Sequence, residues 1–183
     1  MRRHRLSGLV ATSILLAAPG LRAGSDEGIG AGHDLALTFS PFALLYPIAE
    51  VAGEYQVLES LGAGLILGVG KNEFDSDEKL MFWEAGAQVV YYPVGGFDHG
   101  MQVGVEAMFE SVSANANRMR HYGYAAGPLI GYKLVLSFGM TLAVQSGFAW
   151  VKSHRRDTKS DAGVEKSNVQ LLMNVNLGWS FAL

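Results

Sequence analysis

Residues 101–109 read MQVGVEAMF, with Met101, Val103, Val105, Ala107 and Phe109 alternating with Gln102, Gly104, Glu106 and Met108. Successive side chains of a β-strand point to opposite faces, so this alternation predicts a strand with one apolar and one polar side. It does not say which side is wet. A soluble sandwich turns the apolar face to its core, whereas a membrane barrel turns it to lipid and keeps the polar face inside. The rest of the chain decides between them.

The alternation recurs in eight segments, near 33–40, 47–58, 62–71, 79–92, 98–110, 119–134, 138–152 and 168–182, with no helical pattern between them. In the fourth, Met81, Trp83, Ala85, Ala87, Val89 and Tyr91 oppose Phe82, Glu84, Gly86, Gln88 and Val90. In the last, Val169, Leu171, Met173, Val175, Leu177, Trp179 and Phe181 oppose Gln170, Asn174, Asn176, Gly178 and Ser180. One face carries the large side chains. The other mixes Gly, Ala, Glu, Gln and Asn, a composition suited to the crowded inside of a narrow barrel rather than to a solvated surface. The apolar faces are long enough for spanning strands of about 9–11 residues.

Connections near 59–61, 93–97 and 135–137 are short. Those near 72–78, 111–118 and 153–167 are longer and polar. Short turns on one rim and long loops on the other are the outer-membrane pattern, with both termini on the short-turn side. The first connection, PFALLYP (Pro41–Pro47), breaks the trend by being apolar. It either extends the first strand or dips into the interface. Trp83, Phe109, Tyr122, Tyr124, Phe148 and Trp150 fall toward the long-loop rim, and Tyr91, Tyr92, Trp179 and Phe181 toward the short-turn rim, as two interfacial girdles would.

The N-terminus has a basic start (Arg2, Arg3, Arg5), an apolar run from Leu9 to Ala18 and a small-residue site at Leu21-Arg22-Ala23. Residues 1–23 are therefore expected to be a cleaved secretory signal peptide, leaving 24–183 as one domain. Loss of Arg2, Arg3, Arg5 and Arg22 moves the formal charge from −3 to −7, which argues against a nucleic-acid partner. The chain has no cysteine, so it has neither a disulfide framework nor a thiolate metal site. His33, His99, His121 and His154 stand singly, without ligand spacing, and no cofactor is expected. Gly68-Val69-Gly70 lacks the Lys-Ser/Thr and strand–loop–helix context of a phosphate cradle.

The ending NVNLGWSFAL resembles the C-terminal signal read by the outer-membrane assembly machinery, through Asn176, Gly178, Phe181 and Leu183; Leu183 replaces the usual terminal aromatic. With AEVAGEYQVLESLGAGLILGVG, GAQVVYYP and GPLIGYKLVLSFGMTLAVQSGFAW, most of residues 33–183 resembles the small eight-stranded outer-membrane barrels of Gram-negative bacteria, closest to an uncharacterised family among them. The resemblance implies an eight-stranded antiparallel up-and-down transmembrane β-barrel in the outer membrane. It leaves activity open, because such barrels serve many roles.

Three functions are compatible. The first is a non-enzymatic barrel with a structural or surface-binding role, its lumen filled by Glu50, Glu54, Glu84, Gln88, Gln102, Glu106, Lys133, Gln145, Asn174 and Asn176. Its partners would be outer-membrane lipid and lipopolysaccharide, whose phosphates would meet Lys152, Arg155 and Arg156. The second is a narrow channel or hydrophobic-solute conduit. The third is a lipid-modifying enzyme drawing on Ser146, His121, His154 and Glu106, although no nucleophile and base share a face. A turn centred near Gly95-Gly96 predicts Glu84 opposite Glu106 across the fourth and fifth segments. Two carboxylates that close cannot both ionise cheaply.

Overall fold

The computed structural model describes residues 32–45, 48–75, 78–114, 120–156 and 163–183; the segment expected to be a signal peptide lies outside them. Eight strands follow in chain order: β1 (Leu35–Phe39), β2 (Ile48–Leu58), β3 (Leu61–Asp75), β4 (Glu78–Gly95), β5 (His99–Ala114), β6 (Arg120–Val135), β7 (Met140–Arg156) and β8 (Gly163–Phe181). Each pairs antiparallel with its neighbours in sequence, and β1 also pairs with β8, so the up-and-down sheet closes into a ring. Following the register once around from Ser167, through Lys152, Tyr124, Phe109, Ala85, Leu67, Val51 and Phe39, returns to β8 at Leu177, ten residues further along. An eight-stranded ring with such an offset has strands tilted by about 35–45° and an interior just wide enough for side chains.

The alternation read from the sequence sorts the side chains as expected. Val51, Leu65, Val69, Val105, Phe148 and Leu171 all point outward and are exposed, whereas Glu54, Glu84, Gln102, Lys133 and Gln145 are buried inside. Val90, Tyr92, Phe97 and Ala36 form the one apolar cluster among the described buried residues, at the short-turn end. Tyr92 departs from expectation. It belongs to no outer girdle but points inward and is buried. Outer aromatics do form rows: Trp83, Phe109 and Tyr124 touch in sequence with centroids 5.1 Å apart at each step, and Tyr122 stacks on His154.

On the taller rim the strands outrun their predicted ends. Within segments 72–78, 111–118 and 153–167, expected to be loops, most described residues are paired: β3 and β4 reach Asp75 and Glu78, β5 pairs through Ala114, and β7 and β8 reach Arg156 and Gly163. Backbone pairing needs no apolar face, and the alternation signal vanishes where both faces are polar.

The β4–β5 turn also lies later than predicted. The ladder passes a bulge between Tyr91 and Val94 and closes at Gly95 opposite Gly100, with the Gly96 N–H donating to the His99 carbonyl at 2.8 Å. Glu84 therefore faces Glu110, and Gln88 faces Glu106. The predicted Glu84–Glu106 pairing is overturned. The shift of the pairing is even, so every residue keeps its predicted side.

β1 stops at Phe39, opposite Val51 and Leu177, because Pro41 has no N–H with which to continue the ladder. The connection does not extend the strand. It makes a 3₁₀ turn at Ala43–Leu45 against β2, with Leu44 and Leu45 exposed. Since β8 runs on from Asn176 to Gly163, this turn sits partway up the wall rather than above the rim. Its apolar sequence matches the outward face that surrounds it.

Gly139, with φ of +88°, closes the β6–β7 turn, and a Cβ there would lie 3.0 Å from the Ser180 carbonyl oxygen. Gly139→Ala is expected to cost about 1–2 kcal/mol, and Gly139→Asn less, in urea unfolding of the detergent-solubilised protein.

Candidate functional site

The interior is organised from the short-turn end upward. Lys133 of β6 is 1% exposed and reaches Glu54 of β2, with Nζ 3.0 Å from Oε2. The same ammonium lies 3.2 Å from the Phe97 ring centroid, a cation–π contact in a desolvated position. The Tyr92 hydroxyl donates to Glu54 Oε1. Gln102 Nε2 then donates to the Tyr92 oxygen at 3.0 Å, and Gln145 Nε2 to Gln102 Oε1 at 3.0 Å. A carboxylate only accepts, so Glu54 orients the whole row. Tyr92 must give its proton downward, Gln102 must turn its amide nitrogen to Tyr92, and Gln145 must turn its own to Gln102. The row ends on Gln145 Oε1, an acceptor without a protein partner.

Above this floor lies a second level. Gln88 Oε1 and Asn176 Oδ1 are likewise buried acceptors without a protein partner. Glu106 accepts from Asn174 Nδ2 at 3.1 Å. Glu50 and Glu84 lie on the two strands that flank β3, on one register line. The intervening β3 residue is Gly68, where a Cβ would strike the Glu84 side chain; one at Gly62 would strike the Glu54 carboxylate. The Gly-rich strand is thus the space that Glu54 and Glu84 occupy. Higher still, Glu110, His121, Ser153, Lys166, Asn168 and Gln170 border a cavity of about 470 Å³ toward the taller rim.

All ten residues predicted for the lumen lie on the inward side: eight are buried, and Glu50 and Asn174 are half-buried. Lys152 stands on the outer face of the taller rim and pairs with Glu165 at 2.8 Å. That hydrogen bond, with the charges of Lys152 and His154, holds the Glu165 carboxyl below its ordinary value. Arg155 and Arg156 occupy the last β7 ladder positions, opposite Val164 and Gly163. Ser146 faces outward opposite Met173 and Ile130. His154 shares its face but stands eight residues up the strand, ~27 Å away, paired with Glu165 at 3.1 Å. His121 points inward. The structure brings no nucleophile and base together among these four residues.

Three interior participants escaped the sequence reading. Tyr92 shares the inward parity of Gln88 and Val90, which outweighs the girdle place its residue type suggests. Phe97 comes from a turn, where parity does not apply. His33 Nδ1 meets Asp98 Oδ1 at 2.9 Å, joining the N-terminal approach to the β4–β5 turn.

Comparison of the chain with protein-family models, curated proteins and solved structures finds no match.

Removing Lys133 leaves the Glu54 carboxylate buried without its cation. Lys133→Met is expected to cost about 3–5 kcal/mol in urea unfolding, with much of the loss recovered in Lys133→Met/Glu54→Gln. Equal losses in the single and double variants would show that the pair is not what the floor depends on.

Proposed function

We propose that residues 24–183 form an outer-membrane β-barrel, exported by residues 1–23, with a side-chain-filled lumen and a structural or surface-binding role. The observation that carries this reading is the polarity of the wall. Leu65, Val69, Trp150, Val169 and Phe148 face outward at 61–68% exposure, while Lys133, Glu54 and Gln102 are buried. In water such a surface would be a large aggregating patch. Against lipid it is the ordinary outer face of a barrel, and ladder closure is what a hydrocarbon surround demands of the backbone. Outward aromatics near both ends support an interfacial position for the two rims. The resemblance to small outer-membrane barrels points the same way, with Asn176, Gly178, Phe181 and Leu183 as the assembly signal.

The Lys133–Glu54–Tyr92–Gln102–Gln145 floor, closed below by Phe97, supports a plugged barrel over an open channel. Lys152 is the described cation that best fits contact with lipopolysaccharide phosphate, in competition with its Glu165 partner. The separation of Ser146 from His154 and His121 favours a binding or structural role over acyl hydrolysis.

The test is fractionation followed by gel migration with and without boiling. The protein is expected in the detergent-extracted outer membrane and should migrate differently once boiled; recovery as a soluble periplasmic protein would overturn the reading. Depth sensitivity gives a second check. Val105→Arg, on the outward face, should destabilise by about 2–4 kcal/mol in bilayers, and Ser113→Arg, eight residues higher on that face, by about 0–1 kcal/mol. Planar bilayers should show no steady conductance.

A further inference from the structure

Strands β5 to β8 rise well past the level at which β1 and β2 end, and their inner faces enclose the cavity of about 470 Å³. That volume is ordinary for a small-molecule site. Below it the interior is packed, with Glu84, Glu106 and Ala149 buried, so the cavity is a cup with a bottom rather than part of a pore. Lys166, Ser153, Gly123 and Glu110 stand on one register line that crosses it. From β8 to β5 the line covers three strand spacings, ~14 Å of wall. The ten-residue offset of the ring makes this line climb, so Lys166 stands about four residues nearer the rim than Glu110. By the same offset His121 and Ser153 come within about one residue of the level of Lys166, and Gln170 within about one of the level of Glu110.

The cup is polarised along its depth. The deep end holds Glu110, with Glu84 opposite it on the β4–β5 ladder. The mouth holds Lys166 and His121, with Arg155 at the ladder position opposite His121. Among the described residues neither Lys166 nor Glu110 makes an ion pair or a side-chain hydrogen bond, and His121, diagonal to Glu110 across β5 and β6, does not pair with it. The middle of the line is kept small. A Cβ on Gly123 would meet no atom nearer than 3.5 Å, with Glu110 Oε2 and the Ser153 Cβ both at 4.0 Å, whereas one on Gly127 would lie 1.8 Å from the Phe148 carbonyl oxygen. Gly127 yields to backbone; Gly123 borders space. Two opposite charges without partners, held apart across a polar cavity, call for a solute that carries both complements.

We propose that this cup binds a small zwitterion, an amino acid or short peptide whose ammonium and carboxylate are separated by several bonds. The ammonium goes down to Glu110 and Gln170, and the carboxylate stays at the mouth with Lys166, His121 and the Ser153 hydroxyl. Asn168, between the two levels on β8, serves the segment that joins them. This gives the surface-binding role a ligand class. That the mouth faces the cell exterior rests on the membrane reading above; the cup itself does not.

The test titrates the full mature chain, in a non-ionic maltoside micelle, with ε-aminocaproate. Its terminal amide, which keeps only the cation, and its N-acetyl derivative, which keeps only the anion, are the comparisons. Calorimetry should show one ε-aminocaproate per chain and at least about tenfold weaker binding of both derivatives. Lys166→Gln should weaken ε-aminocaproate about tenfold and leave the amide unchanged; Glu110→Gln should weaken it similarly and leave the N-acetyl derivative unchanged. Gly123→Leu, which puts a side chain between Glu110 and Ser153, should abolish binding, with folding checked by the boiling shift. Lys166 is exposed, so its variant carries the test should Gly123→Leu fail to fold. Amide signals of Ser153, Asn168 and Gln170 should move on titration. Shifts confined to Lys152 and Glu165 would place the solute on the outer face and overturn the cup. Equal affinity for all three probes, or full affinity in Lys166→Gln, would overturn the two-ended site. A chain that shifts on boiling yet binds nothing refutes this proposal alone, whereas a chain that is soluble without detergent and still binds refutes the membrane reading and leaves the cup.

Discussion

Five residue pairs between β1 and β8 close the sheet, and the interior depends on that closure. Once Leu35–Phe39 lies against Leu177–Phe181, the ten-residue offset sets the width of the ring, and every inward side chain must share one narrow space. Large side chains cannot then face each other at every level. Gly62 and Gly68 on β3 yield their volume to Glu54 and Glu84, and Gly131 leaves room beside the Gln145 side chain. The small residues of the inner face are thus the complement of its large polar ones.

Within that space one ion pair sets the direction of the hydrogen bonds. Lys133 meets Glu54 with almost no exposure, and a buried charge is tolerable only when paired and hydrogen-bonded. Tyr92 supplies the second bond to Glu54, and the order then passes through Gln102 to Gln145. Phe97 contributes the face of its ring to Lys133. The lower interior is packed and directional. The upper interior, from Asn176 toward the taller rim, holds carboxyls, acceptors without partners and a cavity.

This division follows from where β1 and β2 stop. Beneath Phe39 all eight strands contribute to the wall; above it β1 gives way to the Pro41–Leu45 turn, while β2 still pairs with β3 up to Ile48 opposite Gly70. The apolar residues of that turn, anomalous for a polar loop above a rim, are ordinary for a segment embedded in an apolar wall.

Local alternation alone determined the strand sequence, the side each residue takes and the polar set inside, because a pleated backbone alternates whatever its partner is. Register depends on where each turn and bulge forms, and those are decided by pairing across strands. The bulge after Tyr91 and the late closure at Gly95 moved Glu84 from Glu106 to Glu110 without changing its face. Which inward groups meet is a further step from the chain. Glu54 and Lys133 are 79 residues apart, and only the closed, tilted ring brings β2 and β6 to one level inside it. Alternation in the sequence could therefore name both residues as interior, but their contact required the width and offset of the ring, properties that no single strand carries.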